Sequence, residues 1–305
     1  MLKFVVARIV QSVFVVLGVT LVTFMLMFLA GDPVYLYADD RASAEEIAQL
    51  RRDLGFDRPW LVQYGNYVVG LAQGDLGRSL RYHAPVRDLI LERLPATAQL
   101  ALMALVIAVV APVPLAIVAA RNRGRWPDSL AMTLALVGQS LPNFWLGILL
   151  ILLFGVHLRW LPISGSGTVW HLVLPAITLS TFSAARNARL LRSSFLEVMS
   201  LDYIRTARSK GVSERRVFFG HALKNALLAT VTVIGLDVGF LLGGSVIVET
   251  VFAWPGMGRL TIQAIYGKDL PLVQGAVTFM AFVFVLVNLA VDVAYTFLDP
   301  RVRYD

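Results

Sequence analysis

The sequence predicts an all-α integral membrane protein with six transmembrane helices, an extracytoplasmic helical subdomain between helices 1 and 2, and a cytoplasmic loop of short helices between helices 4 and 5. Composition is the first reason. The 305 residues are 57% hydrophobic and only 15% charged, whereas a soluble domain is usually about one-quarter charged. The second reason is spacing. A hydrocarbon core about 30 Å thick takes roughly 20 apolar helical residues, and six runs reach that length: Ile9–Ala30, Ala96–Ala120, Leu130–Leu153, Leu172–Leu191, Leu227–Val248 and Leu272–Leu298. The third is charge placement. The net charge of +7 is carried by basic residues that fall between apolar runs, not on a soluble face, which argues against a nucleic-acid partner. Cysteine is absent, so disulfides, thiolate metal sites and cysteine nucleophiles are excluded.

The first run, within residues 1–30, is too long for a cleaved signal peptide and lacks a small-residue cleavage site, so it reads as a retained span. Orientation follows the basic flanks. Lys3, Arg8, Arg121, Arg123, Arg125, the cluster from Arg186 to Lys224, and Arg301 with Arg303 all fall on one side. The opposite short loops hold Arg159, Arg259 and Lys268. Both termini are expected in the cytoplasm.

Residues 31–95 read as a subdomain of their own. Ser43 with Glu46 three residues on makes a capping box, and Ile47, Leu50 and Leu54 recur at helical spacing until Gly55. A second helix is expected from Trp60 to Leu71, with Trp60, Tyr64, Tyr67 and Leu71 on one face. That face suits either the headgroup layer or the tops of the spans. A third short helix, Val86 to Leu94, leads into Pro95 and the second span. Residues 96–305 then form a core of five spans.

Prolines and glycines mark bends and close approaches in that core. Pro112, Pro114 and Pro142 interrupt spans two and three. In span five, Gly235, Gly239 and Gly243 repeat every fourth residue, a spacing that lets two helix backbones approach, so this ridge is expected to pack against another helix. Asp237 lies about 200° round the helix from Gly235, at roughly 100° per residue, on the other face with Leu241 and Gly244. A carboxylate deep in a span costs about 2.5–3.5 kcal/mol on insertion scales, so Asp237 either faces water or locks two helices through hydrogen bonds. Span six carries Asn288, Asp292, Tyr295 and Asp299 as one polar stripe, best read as a structural brace, with Arg186, Arg189 or Arg8 available to neutralise Asp292.

Enzyme classes find little support. There is no H-E-x-x-H, and His83, His157, His171 and His221 are scattered without ligand spacing, so no metal site is expected. Ser166 and His171 share a Gly-rich loop with no third group to orient the imidazole. No G-x-x-x-x-G-K-[ST] occurs, so the chain has no P-loop with which to hydrolyse ATP.

The loop at residues 192–226 is the densest basic region. Val198, Leu201, Ile204 and Ala207 recur every third position up to Lys210, which predicts a short surface helix; Gly211 breaks it, and Ser213 caps a second helix with Glu214 in its first turn. The run DYIRTARSKGVSERRVFFGHALKNAL resembles the cytoplasmic coupling loop of permease subunits of ABC importers, in the dipeptide, oligopeptide and nickel class. In that class an alanine four residues before a glycine anchors the motif, as Ala207 and Gly211 do here. AGDP at residues 30–33, GDLGRSL at 74–80, GGSVIVETVFAWPGMGRL at 243–260 and VNLAVDVAYTFLDPRVRY at 287–304 resemble the same class in the same order. Two positions depart from it: Ala229 stands where a proline is frequent, and Asp237 where a neutral residue is usual.

The resemblance implies a bacterial inner-membrane subunit that binds no cofactor itself. It works with a homologous second permease, two ATPase subunits that use ATP and magnesium, an extracytoplasmic substrate-binding protein and the surrounding membrane lipid. It implies ATPase contact through Asp202, Arg205, Ala207, Arg208, Lys210, Gly211 and Arg216. Asp237, from its place in the span, is a candidate for the translocation path, and the resemblance places Glu249, Trp254, Pro255 and Gly256 at an outer mouth, as a gate, a seat for the binding protein or a tight structural turn. The implied substrate is a dipeptide or oligopeptide, with a nickel chelate or glutathione as alternatives. A self-contained secondary transporter is a more distant reading, because mid-membrane ion sites and two related halves are not evident.

Overall fold

The computed structural model describes residues 2–29, 32, 34–38 and 42–298. In chain order its helices are α1 (Leu2–Leu29), α2 (Val34–Tyr37), α3 (Ala44–Asp53), α4 (Trp60–Ala72), α5 (Val86–Val110), α6 (Pro112–Arg121), α7 (Trp126–Ser140) and α8 (Asn143–Leu150). There follow α9 (Trp170–Met199), α10 (Asp202–Ser209), α11 (Glu214–Arg216), α12 (Leu223–Val251), α13 (Met257–Tyr266) and α14 (Leu270–Leu298), with π-helical turns at Ile151–His157 and Val217–Ala222. Among the described residues there is no strand, only an isolated bridge between Arg78 and Pro85. The all-helical expectation holds. Most of AGDP, together with Asp299, Arg301 and Arg303, lies outside the described residues.

The described residues form two compact units, one drawn from residues 1–95 and 256–305, the other from residues 96–255. In the first unit α1 runs against α14 and α4. The capping box at α3 is present in both directions: Ser43 N–H donates to Glu46 Oε2 at 2.7 Å, and Glu46 N–H to Ser43 Oγ at 3.3 Å. Gly55 ends that helix with φ of 72°, a left-handed conformation that costs glycine little. Of the aromatic face of α4, Tyr64 and Tyr67 turn toward α1 and α14, while Trp60 is exposed. Tyr64 donates its hydroxyl to Leu17 O at 3.0 Å, and the Tyr67 hydroxyl meets Thr278 Oγ1 at 3.1 Å. Arg8 pairs with Asp292 at 3.2 Å, so the polar stripe of the last span has the brace expected of it.

Asp269, just before α14, is 1% exposed and gathers four donors. The Ser79 hydroxyl donates to it, as do Leu80 N–H and Arg81 N–H, each at 3.2 Å, and Leu272 N–H at 3.3 Å. One carboxylate thus caps a helix and pins the GDLGRSL turn. Beneath them Val86, Ile90, Met257, Leu260 and Leu272 make an apolar core.

Helix α5 is longer than predicted. No separate helix ends at Leu94: Pro95 sits inside α5, which runs unbroken from Val86 to Val110. Its first turns bury Val86 and Ile90, and that packing outweighs the missing backbone donor at Pro95. The break comes at Ala111, before Pro112 at the first position of α6, the place where proline's missing N–H is not needed.

The second unit centres on α9, which touches α6, α7, α8 and α12. Span three is not straight. Trp126–Ser140 and Asn143–His157 meet at 109° across Pro142, where Leu141 and Pro142 are extended. Among the described residues, three helical segments are long and apolar enough to cross a membrane, Val6–Phe28, Val86–Arg121 and Leu270–Val293, or four if the bent pair is one span. The fourth and fifth predicted runs fall within α9 and α12.

Candidate functional site

The basic loop folds into a small projection with a greasy root. Helix α9 stops at Met199, and Leu201 is extended before α10. The predicted three-residue periodicity therefore spans two helices, with Val198 closing one and Ile204 inside the next. Ile204 is fully buried among Leu191, Phe195, Val198, Val217 and Ala222, and the rings of Phe195 and Phe218 meet at a tilt with centroids 5.3 Å apart. Leu201, expected on the same face, is 45% exposed because it is the extended residue that begins α10.

The end of α10 is closed by a double bond pattern. Gly211 N–H donates to Arg208 O at 2.9 Å and Val212 N–H to Ala207 O at 3.2 Å. Gly211 has φ of 74°. This is the Schellman arrangement, which requires a left-handed residue after the helix. Ala207 and Val212 both pack on the root cluster, supplying the apolar contact that accompanies such a cap. The alanine and glycine of the motif thus have separate local duties, one facing inward and one reversing the chain.

The charged residues sort by partner. Arg208 is held by Glu214, through Nε to Oε1 at 2.8 Å and Nη2 to Oε2 at 3.3 Å, so it straps α10 to α11. Arg205 reaches Asp202 only at 3.5 Å, and the two side chains are 76% and 95% exposed. Lys210 and Arg216 are exposed as well. Ser213 precedes α11, but its side chain makes no capping bond. The projection therefore shows Asp202, Arg205, Lys210 and Arg216 outward, while Ala207, Arg208 and Gly211 hold its shape.

The residues expected along a path or gate are placed differently. Asp237 is fully buried. It accepts from Ser183 Oγ at 2.6 Å and Asn187 Nδ2 at 2.8 Å and forms an ion pair with Arg186. Of its two sequence readings, the helix lock is the one these contacts fit. Asn187 also donates to Ala108 O at 3.1 Å, which ties α5 into the same knot. Arg186 is thus taken by Asp237 and leaves Asp292 to Arg8, while Arg189 bonds Gln139. Arg192 grips Asp128 with two bonds of 2.6 Å.

Glu249 and Trp254 are likewise internal. Glu249 is fully buried and accepts from Thr97 Oγ1 at 2.7 Å. Trp254 packs with Leu100 and Phe252, and its Nε1 donates to Ala96 O at 2.8 Å. Pro255 is half-buried and Gly256 is buried. Within this chain these contacts fasten the turn to Ala96, Thr97 and Leu100.

The glycine ridge is used only in part within this chain. Gly239 is buried, but Gly243 is exposed and a β carbon there would meet nothing within 4 Å. The close approach is at Gly244, where a β carbon would lie 3.3 Å from Leu179 Cδ1. Helix α12 packs on α9 through the face that carries Asp237, Leu241, Gly244 and Val248, because a buried carboxylate with three partners fixes the rotation that small residues alone leave free. Nor does the hydrolase idea gain support: His171 Nδ1 bonds Thr168 Oγ1 at 2.8 Å.

Comparison with known proteins decides among the classes. Residues 112–304 match the family described as the binding-protein-dependent transport system inner membrane component. Residues 1–101 match the N-terminal part of the membrane component of such systems. The chain belongs to this family. Within it, a Brucella abortus protein named as a peptide transport system permease is 48% identical over 98% of both chains. The glutathione transport system permease protein GsiC of Salmonella typhimurium is 43% identical over the whole of both. A crystal structure of an amino acid ABC transporter matches with a TM-score of 0.52 at 16% identity, covering 70% of this chain and 94% of that one; at that identity it speaks to the fold alone. The family resemblance read from the motifs is therefore correct, and the chain is a membrane component of a transport system, not an ATPase.

Proposed function

We propose that this chain is the permease subunit of an ATP-driven importer that passes peptides from an extracytoplasmic binding protein into the cytoplasm. The observation that carries the reading is full-length similarity, 48% over 98% of both chains, to a family member named for peptide transport. Glutathione, the substrate in the name of another full-length relative, is itself a small peptide.

In this reading the chain crosses the inner membrane six times with both termini in the cytoplasm. Residues 1–30 are the first span, residues 31–95 an extracytoplasmic subdomain, and residues 96–305 the core, with α7 and α8 together as one broken crossing. A second, homologous permease stands beside it, and each of two ATPase subunits receives one projection. ATP and magnesium act on those subunits. Arg205, Lys210 and Arg216, exposed on α10, the following turn and α11, meet acidic residues of the ATPase, where charge-assisted bonds are strongest. Closure of the ATPases pulls the projection, and the apolar root around Ile204 transmits that movement to α9 and α12. Selectivity lies chiefly with the binding protein, and the buried knot at Asp237 keeps α9 and α12 moving as one body.

The test is ATP-dependent uptake of labelled alanyl-phenylalanine and of glutathione by proteoliposomes that hold the permeases and ATPases, with the binding protein outside. Uptake of either, abolished by Gly211→Arg together with loss of ATPase co-purification, is the expected result. Uptake driven by an ion gradient in the chain alone would overturn it.

A further inference from the structure

The first unit contains a cavity of about 390 Å³ for which the coupling mechanism has no use. Its size lies in the range of small-molecule sites, about 300–1,000 Å³, which typically join apolar walls to a few polar groups. The rings of Tyr37, Phe56 and Tyr67 line it, and so do two carboxylates, Asp53 and Asp75, and two guanidiniums, Arg58 and Arg78.

Two lining side chains end in buried atoms that make no well-formed hydrogen bond among the described residues, Gln63 Oε1 and Gln274 Nε2, the latter beside the Tyr67 hydroxyl. The Gln63 amide is oriented by its other end, since Nε2 donates to Arg58 O at 2.8 Å. Gln274 is only 9% exposed. A buried polar atom without a partner is costly to maintain, so the cavity favours an occupant that offers one N–H and one carbonyl. A peptide group carries both. The charged groups suit the ends of such a molecule. Asp53 and Asp75 each use one oxygen locally, on Gln49 Nε2 and Gly77 N–H, both at 2.9 Å, and Arg58 has no carboxylate partner among the described residues. The rings leave an apolar wall for a side chain.

From this we infer that the cavity binds a short peptide directly, as an accessory substrate site on the permease itself. The inference rests on the peptide reading of function and adds a second place where that class is recognised. A phosphoethanolamine headgroup would supply opposite charges but neither a planar amide nor a side chain for the ring-lined wall.

The experiment uses the assembled transporter in nanodiscs without binding protein, and measures equilibrium binding of tritiated alanyl-phenylalanine. Saturable binding of one peptide per chain is expected. Gln274→Leu should weaken it about tenfold, the loss of one buried hydrogen bond. Gly70→Leu should do the same by filling the space; the first added carbon at Gly70 meets only Asp75 O at 3.7 Å, an ordinary contact, and unchanged thermal stability of the variant is checked alongside. Absence of saturable binding, indifference to both variants, or competition by glycerophosphoethanolamine would overturn the site. Uptake with binding protein is assayed in parallel. Uptake without direct binding sinks this site and leaves the transport reading standing, whereas loss of both sinks the two together.

Discussion

Arg186 of α9 pairs with Asp237 of α12, and the same carboxylate accepts from Ser183 and Asn187. One acid therefore satisfies three donors within about one turn of the neighbouring helix. Breaking one side of a buried ion pair costs about 3–5 kcal/mol, while replacing both by apolar groups of similar volume is often neutral. Asp237→Ala should lower stability by about that amount in denaturation of the purified protein, and Arg186→Met with Asp237→Leu should restore most of it. Equal losses for single and double variants would show that the pair is not coupled.

Ile204 roots the projection. Truncating a buried isoleucine costs about 2–5 kcal/mol. Ile204→Ala should leave membrane insertion and ATPase co-purification intact while reducing the stimulation of ATP hydrolysis by loaded binding protein, because the outward charges remain but the root loosens. Loss of co-purification instead would make Ile204 part of the docking surface.

Gly211 should tolerate asparagine better than valine. The left-handed turn costs an L-residue about 1–2 kcal/mol, and asparagine enters it more readily than a β-branched side chain. Space is not the obstacle, since a β carbon at Gly211 meets nothing within 4 Å. Transport rates in the order glycine, asparagine, valine would bear this out; identical rates for the last two would refute it.

Asp269 holds the turn at residues 79–81 and the start of α14. Hydrogen bonds to a charged group contribute about 1.5–3 kcal/mol each and are not additive, so Asp269→Ala should destabilise by on the order of 3 kcal/mol. It should also expose the segment around His83 to protease added from outside spheroplasts. Unchanged cleavage would remove Asp269 from that role.

Local chemistry was legible in the sequence wherever partners lie close along the chain. The capping box at Ser43, the stop at Gly55, the interruption at Pro142 and the reversal at Gly211 all depend on neighbours within a few residues. The partners of Asp237 lie about fifty residues away, and nothing in helical spacing selects Arg186 for it over Asp292. The glycine ridge shows the same limit: small residues permit approach to a helix, but the face that packs on α9 is chosen by the carboxylate. Asp269 was overlooked although D-L-P ahead of an apolar run is a helix-start signal, with the acid at the cap and proline inside the first turn. The turn around Glu249 and Trp254 was visible in the sequence, but the burial of both side chains within the chain was not.

The elbow at Pro142 has a consequence for the surroundings of the chain. Proline carries no N–H, so the carbonyl of Gly138 lacks its usual donor one turn on, and Leu141 and Pro142 adopt extended backbone there. Oil cannot satisfy exposed peptide groups. A place for this corner inside the hydrocarbon therefore requires moisture or another polypeptide against it.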